Sequence, residues 1–142
     1  MSLNNFFEIA NPIRKAIFSG RPVVALESAV ITHGLPYPHN QQLAFEMEDT
    51  IRQQNAEPAT IAVLDGKIRV GLSPAEIERL AQMKHCRKIS RRDFGIALSH
   101  GESGGTTVAG TLFAAHQAGI RVFATGGIGG VHRNATFDVS AD

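Results

Sequence analysis

The sequence has little of several features that define common classes of protein. It contains one cysteine, Cys86, so it cannot form an internal disulfide, and its composition fits a reducing compartment. Lys and Arg number 14 against 13 Asp and Glu, and this balance leaves no basic field for nucleic acid or an anionic membrane surface. No apolar run approaches bilayer length, and the N-terminus lacks the apolar core of a signal peptide. We therefore expect a soluble cytoplasmic protein that binds neither nucleic acid nor a membrane.

The composition is that of an ordinary globular domain. The 142 residues are 43% hydrophobic and 19% charged, which is enough to build a sizeable buried core. No internal repeat, low-complexity linker or shift of composition marks a boundary within the chain. The sequence therefore predicts a single domain over residues 1–142.

Hydrophobic periodicity and turn residues predict helices and strands in alternation. Asp65-Gly66 separates two apolar runs and favours the positive φ angles of a two-residue hairpin turn. Ser73-Pro74-Ala75-Glu76 is a capping box that begins a helix. The predicted elements, in chain order, are a helix from Asn11 to Gly20, a buried strand at 22–26, a helix at 40–55 capped by Asn40, a hairpin at 59–71, a helix from Ser73, a helix at 106–118 and a buried strand at 120–124.

This order of elements indicates an α/β fold. Strands that alternate with helices, together with one β-hairpin, predict a three-layer α/β/α domain with a mixed sheet. Residues 136–142 read as the middle of an element, with neither a closing helix nor a polar tail. We therefore expect the domain to be incomplete.

Glycine is concentrated in one part of the chain. Ten of the 14 glycines lie between Gly95 and Gly130, and such a cluster indicates close backbone approach or positive φ angles. The first glycine stretch, 101–107, stands at the start of a predicted helix, where its backbone N–H groups and the hydroxyls of Thr106 and Thr107 are candidates to bind an anion. The second glycine stretch, 125–133, follows a predicted strand, where ligands of open α/β sheets bind. Neither fits a known nucleotide fingerprint. Ordinary turn glycine is the alternative, but two such stretches favour a site for a phosphate-type anion.

The first glycine stretch also contains the pattern of a serine nucleophile elbow. Gly101-Glu102-Ser103-Gly104-Gly105 matches G-x-S-x-G, in which the central serine attacks the substrate of a serine hydrolase. That fold needs an acid and then a histidine downstream, whereas here His132 precedes Asp138 and Asp142. A serine hydrolase is therefore the weaker alternative.

Two charged side chains stand out at predicted strand ends. Glu27 follows an apolar strand, where burial would raise the pKa of its carboxyl and make it a candidate proton donor near neutral pH. Residues 87–93 contain four cations, and their alternation turns Lys88 toward the sheet end and Arg87 away, so Lys88 is a candidate phosphate clamp. The alternatives are a carboxylate that faces water and a solvated cationic face.

Two further acids are candidate metal ligands. Asp138 and Asp142 stand four residues apart and offer the hard oxygen atoms that Mg²⁺ or Mn²⁺ prefers. Two acids alone are weak evidence for a metal. The six histidines show no zinc-ligand spacing.

Several longer blocks stand in a fixed order from about Pro22 to the last residue. They are Val23-Val24-Ala25-Leu26-Glu27-Ser28, Ile31-Thr32-His33-Gly34-Leu35-Pro36, Pro58-Ala59-Thr60-Ile61-Ala62, Lys88-Ile89-Ser90-Arg91-Arg92-Asp93, Thr106-Thr107-Val108-Ala109, residues 122–133 and residues 136–142. Together these blocks resemble the pseudouridine-5′-phosphate glycosidase family, which includes the indigoidine synthase A-like proteins. Blocks of this length are highly specific, and they are similar to the N-terminal half of the family's longer chains.

The resemblance implies a reaction: reversible cleavage of the C–C glycosidic bond of pseudouridine 5′-phosphate, a phosphorylated nucleoside, to uracil and ribose 5-phosphate. In this lyase-type glycosidase family a lysine Schiff base opens the ribose and accepts electrons, a carboxylic acid transfers protons, and Mn²⁺ organises the site. The resemblance further implies a homo-oligomer, a trimer. Carried over by motif, the catalytic proton donor is Glu27, the Mn²⁺ ligand is Asp138, and the substrate-binding residues are Lys88, Val108, Ser140, Ala141 and Asp142.

The sequence departs from the family pattern in two places. The family's Schiff-base lysine lies beyond its Ser-Ala-Asp motif, and no lysine here stands in the matching place, so we expect residues 1–142 alone to be inactive. The segment between Arg133 and Thr136 is shorter than the family's usual loop. The second hypothesis, from a different functional class, is therefore a catalytically inactive phosphosugar-binding fragment.

Overall fold

The computed structural model describes residues 6–131, 139, 140 and 142, in which strands alternate with helices. The elements are β1 (Phe7–Ile9), α1 (Asn11–Phe18), β2 (Val23–Leu26), α2 (Ala29–His33), α3 (His39–Gln53), β3 (Glu57–Leu64), β4 (Lys67–Val70), α4 (Pro74–Ala81), β5 (Arg87–Ile89), α5 (Phe94–Ser99), β6 (Gly104–Thr106), α6 (Val108–Gln117) and β7 (Val122–Ala124). A 3₁₀ turn, Arg91–Asp93, connects β5 to α5. Within these residues, no helix is long and apolar enough to cross a bilayer.

Strand β3 is the central strand of the sheet, and it has both parallel and antiparallel neighbours. Its first half pairs in parallel with β2, and β2 in turn pairs in parallel with β7. Its second half pairs antiparallel with β4 on one edge, and β1 extends the sheet beyond β4. On the opposite edge, Ala62 and Val63 pair antiparallel with β6, which pairs in parallel with β5. The mixed sheet that the sequence predicted is confirmed.

Strand β3 supports a helical layer on each face of the sheet. Because successive residues of a strand point to opposite faces, Ala59, Ile61 and Val63 enter one core while Ala62 and Leu64 enter the other. The first core is closed by α1, α5 and α6, and the second by α2, α3 and α4. This is the predicted three-layer α/β/α arrangement.

The two strongest local predictions are confirmed. Asp65 and Gly66, with φ angles of 50° and 72°, form the two-residue turn of the β3–β4 hairpin. Ser73 Oγ accepts from the backbone N–H of Glu76, and the Glu76 carboxylate accepts from the backbone N–H of Ser73 at 2.8 Å, so the capping box begins α4.

Asn40 is not the cap of α3, and this prediction was wrong. The helix begins at His39, and Asn40 is a buried helical residue. Its Nδ2 donates to the carbonyl oxygens of Ile31 at 2.7 Å and Ala81 at 2.9 Å. A buried amide must be hydrogen-bonded, and here it satisfies the carbonyl ends of α2 and α4, so it joins three helices.

The segment from Thr106 to Ala124 also differs from the prediction. Thr106 belongs to β6, and α6 begins only at Val108. Strand β7 is exposed rather than buried, with Val122 54% exposed. The reason is that β7 pairs with β2 along one edge, and no strand among the described residues pairs along the other.

Candidate active site

The candidate site begins where β3 changes its partner. Thr60 of β3 pairs with Leu26, the last residue of β2, whereas Ala62 pairs with Gly105 of β6. Both partners lie on the same edge of β3, so the sheet has a gap between the end of β2 and β6. We call this gap the fork, and the carbonyl oxygen of Ile61 points to it.

Three buried hydroxyl groups close the fork. Ser28 Oγ donates to the Ile61 carbonyl oxygen at 2.5 Å, and Thr106 Oγ1 donates to the same oxygen at 2.7 Å. The backbone N–H of Thr106 donates to Ser28 Oγ at 2.9 Å, and Thr111 Oγ1 lies 2.9 Å from Thr106 Oγ1. Because these bonds satisfy buried polar groups that the sheet leaves unpaired, they fix the segments that follow β2 and β6 beside each other.

A cleft of about 750 Å³ lies at this fork, lined by residues that follow β2, β5, β6 and β7. Its charged and polar lining includes Glu27, Lys88, Arg92, Thr107, Ser140 and Asp142. The structure thus brings together four of the predicted site residues, which lie far apart in sequence. The position agrees with the rule that ligands of α/β sheets bind beyond the carboxyl ends of strands.

Glu27 lies half-buried in this cleft, less deeply than the sequence predicted. Strand β2 ends at Leu26, and its parallel neighbour β7 ends at Ala124, so the residues that follow are also neighbours. Thr125 Oγ1 donates to Glu27 Oε1 at 2.5 Å, and the backbone N–H of Gly127 donates to Thr125 Oγ1 at 3.2 Å. The second glycine stretch therefore holds the carboxyl through one threonine.

Lys88 reaches the cleft because β5 alternates its side chains. Arg87 Nε donates to the Glu102 carboxylate at 2.5 Å outside the cleft, while Lys88 lines it. Within the described residues Lys88 makes no ion pair. His33 lines the same cleft, where partial burial and the positive charge of Lys88 lower the pKa of its imidazole. The predicted orientations of the two cations are confirmed.

The N-terminus of α6 forms another wall. The Val108 side chain is buried in the core, so a ligand would meet only its backbone. The backbone N–H of Ala109 donates to Asp142 Oδ1 at 3.2 Å, and Ser140 Oγ donates to Asp142 Oδ2 at 3.2 Å. Burial would raise the pKa of Asp142, but these bonds, the nearby Thr107 hydroxyl and the charge of Lys88 lower it overall.

Two predicted site residues lie outside the described residues: Asp138, the expected metal ligand, and Ala141. Elsewhere in the part of the chain that the structure describes, no group of three or more His, Cys, Asp or Glu side chains is placed to hold a metal ion. The described residues therefore do not by themselves form a metal site.

Of the first glycine stretch, Thr107 lines the cleft, whereas its glycines do not. Gly104 and Gly105 belong to β6 and are buried in the sheet. Ser103 precedes a strand rather than following one, and its Oγ accepts from the backbone N–H of Asp65 at 2.8 Å. A nucleophile elbow requires the serine at a strand-to-helix turn, so this geometry does not support the serine hydrolase.

Sequence reasoning missed two contributors to the site: the hydroxyl network of the fork and the contact between Thr125 and Glu27. The signal for Thr125 was present, since a polar residue directly follows each of two apolar strands. Which strands are neighbours could not be read from the sequence.

The fold and the cleft define a three-layer α/β protein with a ligand cleft at its strand ends. The family model described as indigoidine synthase A like protein matches residues 12–142. The chain therefore belongs to the indigoidine synthase A-like family.

Curated relatives named pseudouridine-5′-phosphate glycosidase match almost the whole of this chain. The pseudouridine-5′-phosphate glycosidase of Dinoroseobacter shibae is 54% identical over 142 residues, which cover 99% of this chain and 47% of that protein. The protein of the same name from Escherichia coli is 54% identical over 138 residues, which cover 95% of this chain and 44% of that protein. The chain spans about half the length of the curated relatives it matches.

Solved structures show the same fold. The prealnumycin C-glycosynthase AlnA, in complex with ribulose 5-phosphate, gives a TM-score of 0.82 at 47% identity, over 96% of this chain and 45% of that one. An indigoidine synthase A-like protein from Thermotoga maritima gives 0.81 at 33% identity, over 95% and 44%. The chain thus matches part of a larger fold.

Proposed function

We propose that this chain supplies the proton-donor part of a pseudouridine-5′-phosphate glycosidase. The reaction is the reversible hydrolytic cleavage of pseudouridine 5′-phosphate to uracil and ribose 5-phosphate. The observation that carries the proposal is the shared cleft: Glu27, Lys88 and the N-terminus of α6 converge on one space. The names of the curated relatives support the same activity.

The proposed chemistry assigns the proton to Glu27. When the bond between ribose C1′ and uracil C5 breaks, the electron pair stays on the uracil carbon, which must then be protonated. A carboxylic acid in a cleft is suited to that transfer. Thr125 orients the Glu27 carboxyl by its hydrogen bond of 2.5 Å. Loss of that pair leaves ribose C1′ electron-deficient, and the nitrogen of the family's lysine, which would lie beyond Asp142, would donate its lone pair to C1′ as the Schiff base forms. Water would then release the sugar from the Schiff base.

The remaining cleft residues are proposed to bind the substrate. Lys88 would attract the phosphate, as an unpaired ammonium does. Ser140, Ala141, Asp142 and the backbone at Val108 would contact the rest of the ligand. The solved structure of AlnA with ribulose 5-phosphate supports a phosphorylated sugar as the ligand class.

Mn²⁺ remains part of the proposal, with Asp138 as its ligand. When bound, a divalent ion would supply positive charge and fixed oxygen coordination near the sugar. The test is uracil release during Mn²⁺ titration: the wild type should respond, and Asp138→Asn should lose the response. A trimeric assembly in the cytoplasm is also proposed.

The decisive experiment measures uracil release from pseudouridine 5′-phosphate in the full-length protein. Glu27→Gln should lower turnover about 10²- to 10⁴-fold while the protein stays folded, because the side chain keeps its shape and loses its proton. Glu78→Gln, an exposed change on α4 outside the cleft, is the matched control. Full turnover by Glu27→Gln would refute the proton-donor role.

The same assay separates the second candidate function, a phosphosugar-binding chain without turnover. Residues 1–142 alone should bind pseudouridine 5′-phosphate and release no uracil. Turnover by residues 1–142 alone would contradict the need for a lysine beyond Asp142.

A further inference from the structure

Two consecutive arginines leave the 3₁₀ turn after β5 in different directions. The turn is held by Asp93, whose Oδ2 accepts from the backbone N–H of Ser90 at 2.8 Å. The Arg91 guanidinium lies over the ring of Phe113, with 5.3 Å between its carbon and the ring centroid. Arg92 instead lines the cleft. One arginine therefore packs against the fold, and the other faces the candidate site.

Arg92 forms no ion pair within the described part of the chain, although the neighbouring Asp93 lines the same cleft. Among the described residues, neither Arg92 nor Lys88 forms an ion pair. The three carboxylates of the cleft accept hydrogen bonds from other groups: Glu27 from Thr125, Asp93 from the N–H of Ser90, and Asp142 from the N–H of Ala109. Two unpaired cations in one cleft attract an anion, and the walls of the cleft strengthen this attraction.

An independent observation points to the same kind of ligand. Thr107 is 3% exposed, lines the cleft, and its Oγ1 has no hydrogen-bond partner within the described part of the chain. The acceptor beside this hydroxyl is the Asp142 carboxylate, whose pKa the hydroxyl lowers, so a ligand oxygen would compete with Asp142 for it. Buried hydroxyls are rarely left unpaired, so a ligand with acceptor oxygens is indicated here.

We propose that Arg92 binds the phosphate group of the substrate together with Lys88, and that it sets the preference for the phosphorylated ligand over the unphosphorylated one. A phosphate presents several oxygens, and a planar guanidinium can contact two of them in a fixed bidentate geometry, whereas the ammonium of Lys88 acts as a point charge without that geometry. The inference rests on the proposed function, because it assigns the substrate's phosphate to this end of the cleft.

The test compares the binding of pseudouridine 5′-phosphate and pseudouridine to the full-length protein by isothermal titration calorimetry. Arg92→Gln should weaken binding of the phosphorylated ligand about 10- to 100-fold, the size expected for losing a hydrogen bond to a charged group. The affinity of this variant for pseudouridine should stay within about twofold of the wild-type value, because pseudouridine has no phosphate for Arg92 to bind. Arg92→Lys should restore part of the affinity, and Arg91→Gln should leave both affinities unchanged.

The outcomes separate the inference from the proposed function. Wild-type preference for the phosphorylated ligand that persists in Arg92→Gln would overturn the role of Arg92 and leave the proposed function standing. An equal loss for both ligands would also overturn it, since the effect would then not come from the phosphate. A wild-type chain that binds neither ligand would refute the proposed function itself, and the inference with it.

Discussion

Both stretches are rich in glycine, but their glycines have different surroundings: tight backbone packing in the first stretch and open space in the second. In the first, a Cβ at Gly104 would lie 2.0 Å from the Arg87 carbonyl oxygen, and one at Gly105 would lie 2.7 Å from the Ser28 carbonyl oxygen. The absent side chains let backbone segments approach each other in the sheet. Gly104 and Gly105 therefore support the site from within the sheet and do not line the cleft.

The glycines of the second glycine stretch have open space where a side chain would be. A Cβ at Gly126 or Gly127 would meet nothing within 4 Å, and Gly129 and Gly130 have φ angles of 74° and 136°. Here glycine gives the chain its turns and lines the cleft. The comparison teaches that glycine content indicates a special backbone, whereas only the neighbouring atoms distinguish tight packing from an accessible wall.

The sharpest way to break this comparison is to add one methyl group to each stretch. Gly104→Ala should lower the free energy of unfolding by about 3 kcal/mol, because the new Cβ collides with backbone that cannot move freely. Gly127→Ala, the matched control, should change it by less than about 0.5 kcal/mol. Urea unfolding measures both. Equal effects at the two positions would show that the first stretch is not tightly packed.

The next largest effect is expected at Thr106, the last residue of β6. Thr106→Val keeps the shape and removes the hydroxyl that bonds Ile61 and Thr111, so the free energy of unfolding should fall by about 2 kcal/mol. Thr106→Ser keeps the hydroxyl and should recover about half of the loss. Thermal and urea unfolding provide the readout. A valine variant as stable as the wild type would mean that the fork does not depend on this hydroxyl.

At Thr125 we expect a small effect on stability and a larger effect on turnover, the reverse of Thr106. Thr125→Val removes the hydroxyl that holds Glu27, at a half-buried position at the edge of the cleft, so the free energy of unfolding should change by no more than about 0.5 kcal/mol. Turnover in the full-length protein should fall about tenfold, because the carboxyl is less well oriented. Thr125→Ser should restore it. Undiminished uracil release by the valine variant would remove Thr125 from the site.

The smallest expected effect is a pH dependence at Asp142. Its pKa is lowered in the folded protein, so its carboxylate stabilises the fold above the unfolded value of about 4 and loses this effect as the pH falls through the lowered pKa. Asp142→Asn should therefore be less stable than wild type at neutral pH, and the difference should close under acid conditions. A difference that stays constant across this range would contradict the hydrogen bonds at α6.

The sequence predicted the parts of the fold that depend on neighbouring residues. The hairpin turn at Asp65-Gly66 and the capping box at Ser73 follow from local backbone chemistry, so their patterns sufficed. Asn40 shows the limit: its short polar side chain is typical of a cap, but two carbonyl oxygens from distant helices recruit it into the core. A local pattern cannot reveal partners that tertiary packing supplies.

The candidate site divides in the same way. Glu27 could be singled out because a charge at the end of an apolar strand is unusual, and Lys88 because alternation within a run of cations turned it toward the sheet end. The contact between Thr125 and Glu27 could not be predicted, because it arises only when strands distant in sequence become neighbours. The motif resemblance gave the family, which the family match confirms, while the roles of the individual residues stay predictions.

The fork has a kinetic consequence for the molecule. Strand β3 joins β4 through a two-residue turn, but it meets β6 only after a long loop closes, as the pairing of Ala62 with Gly105 requires. Long-range closure is entropically costly and forms late, so the amide hydrogens of β6 should exchange with solvent sooner than those of the hairpin. A ligand that contacts both the residues after β2 and those after β6 should slow amide exchange in β6 and leave the exchange rates of the hairpin unchanged.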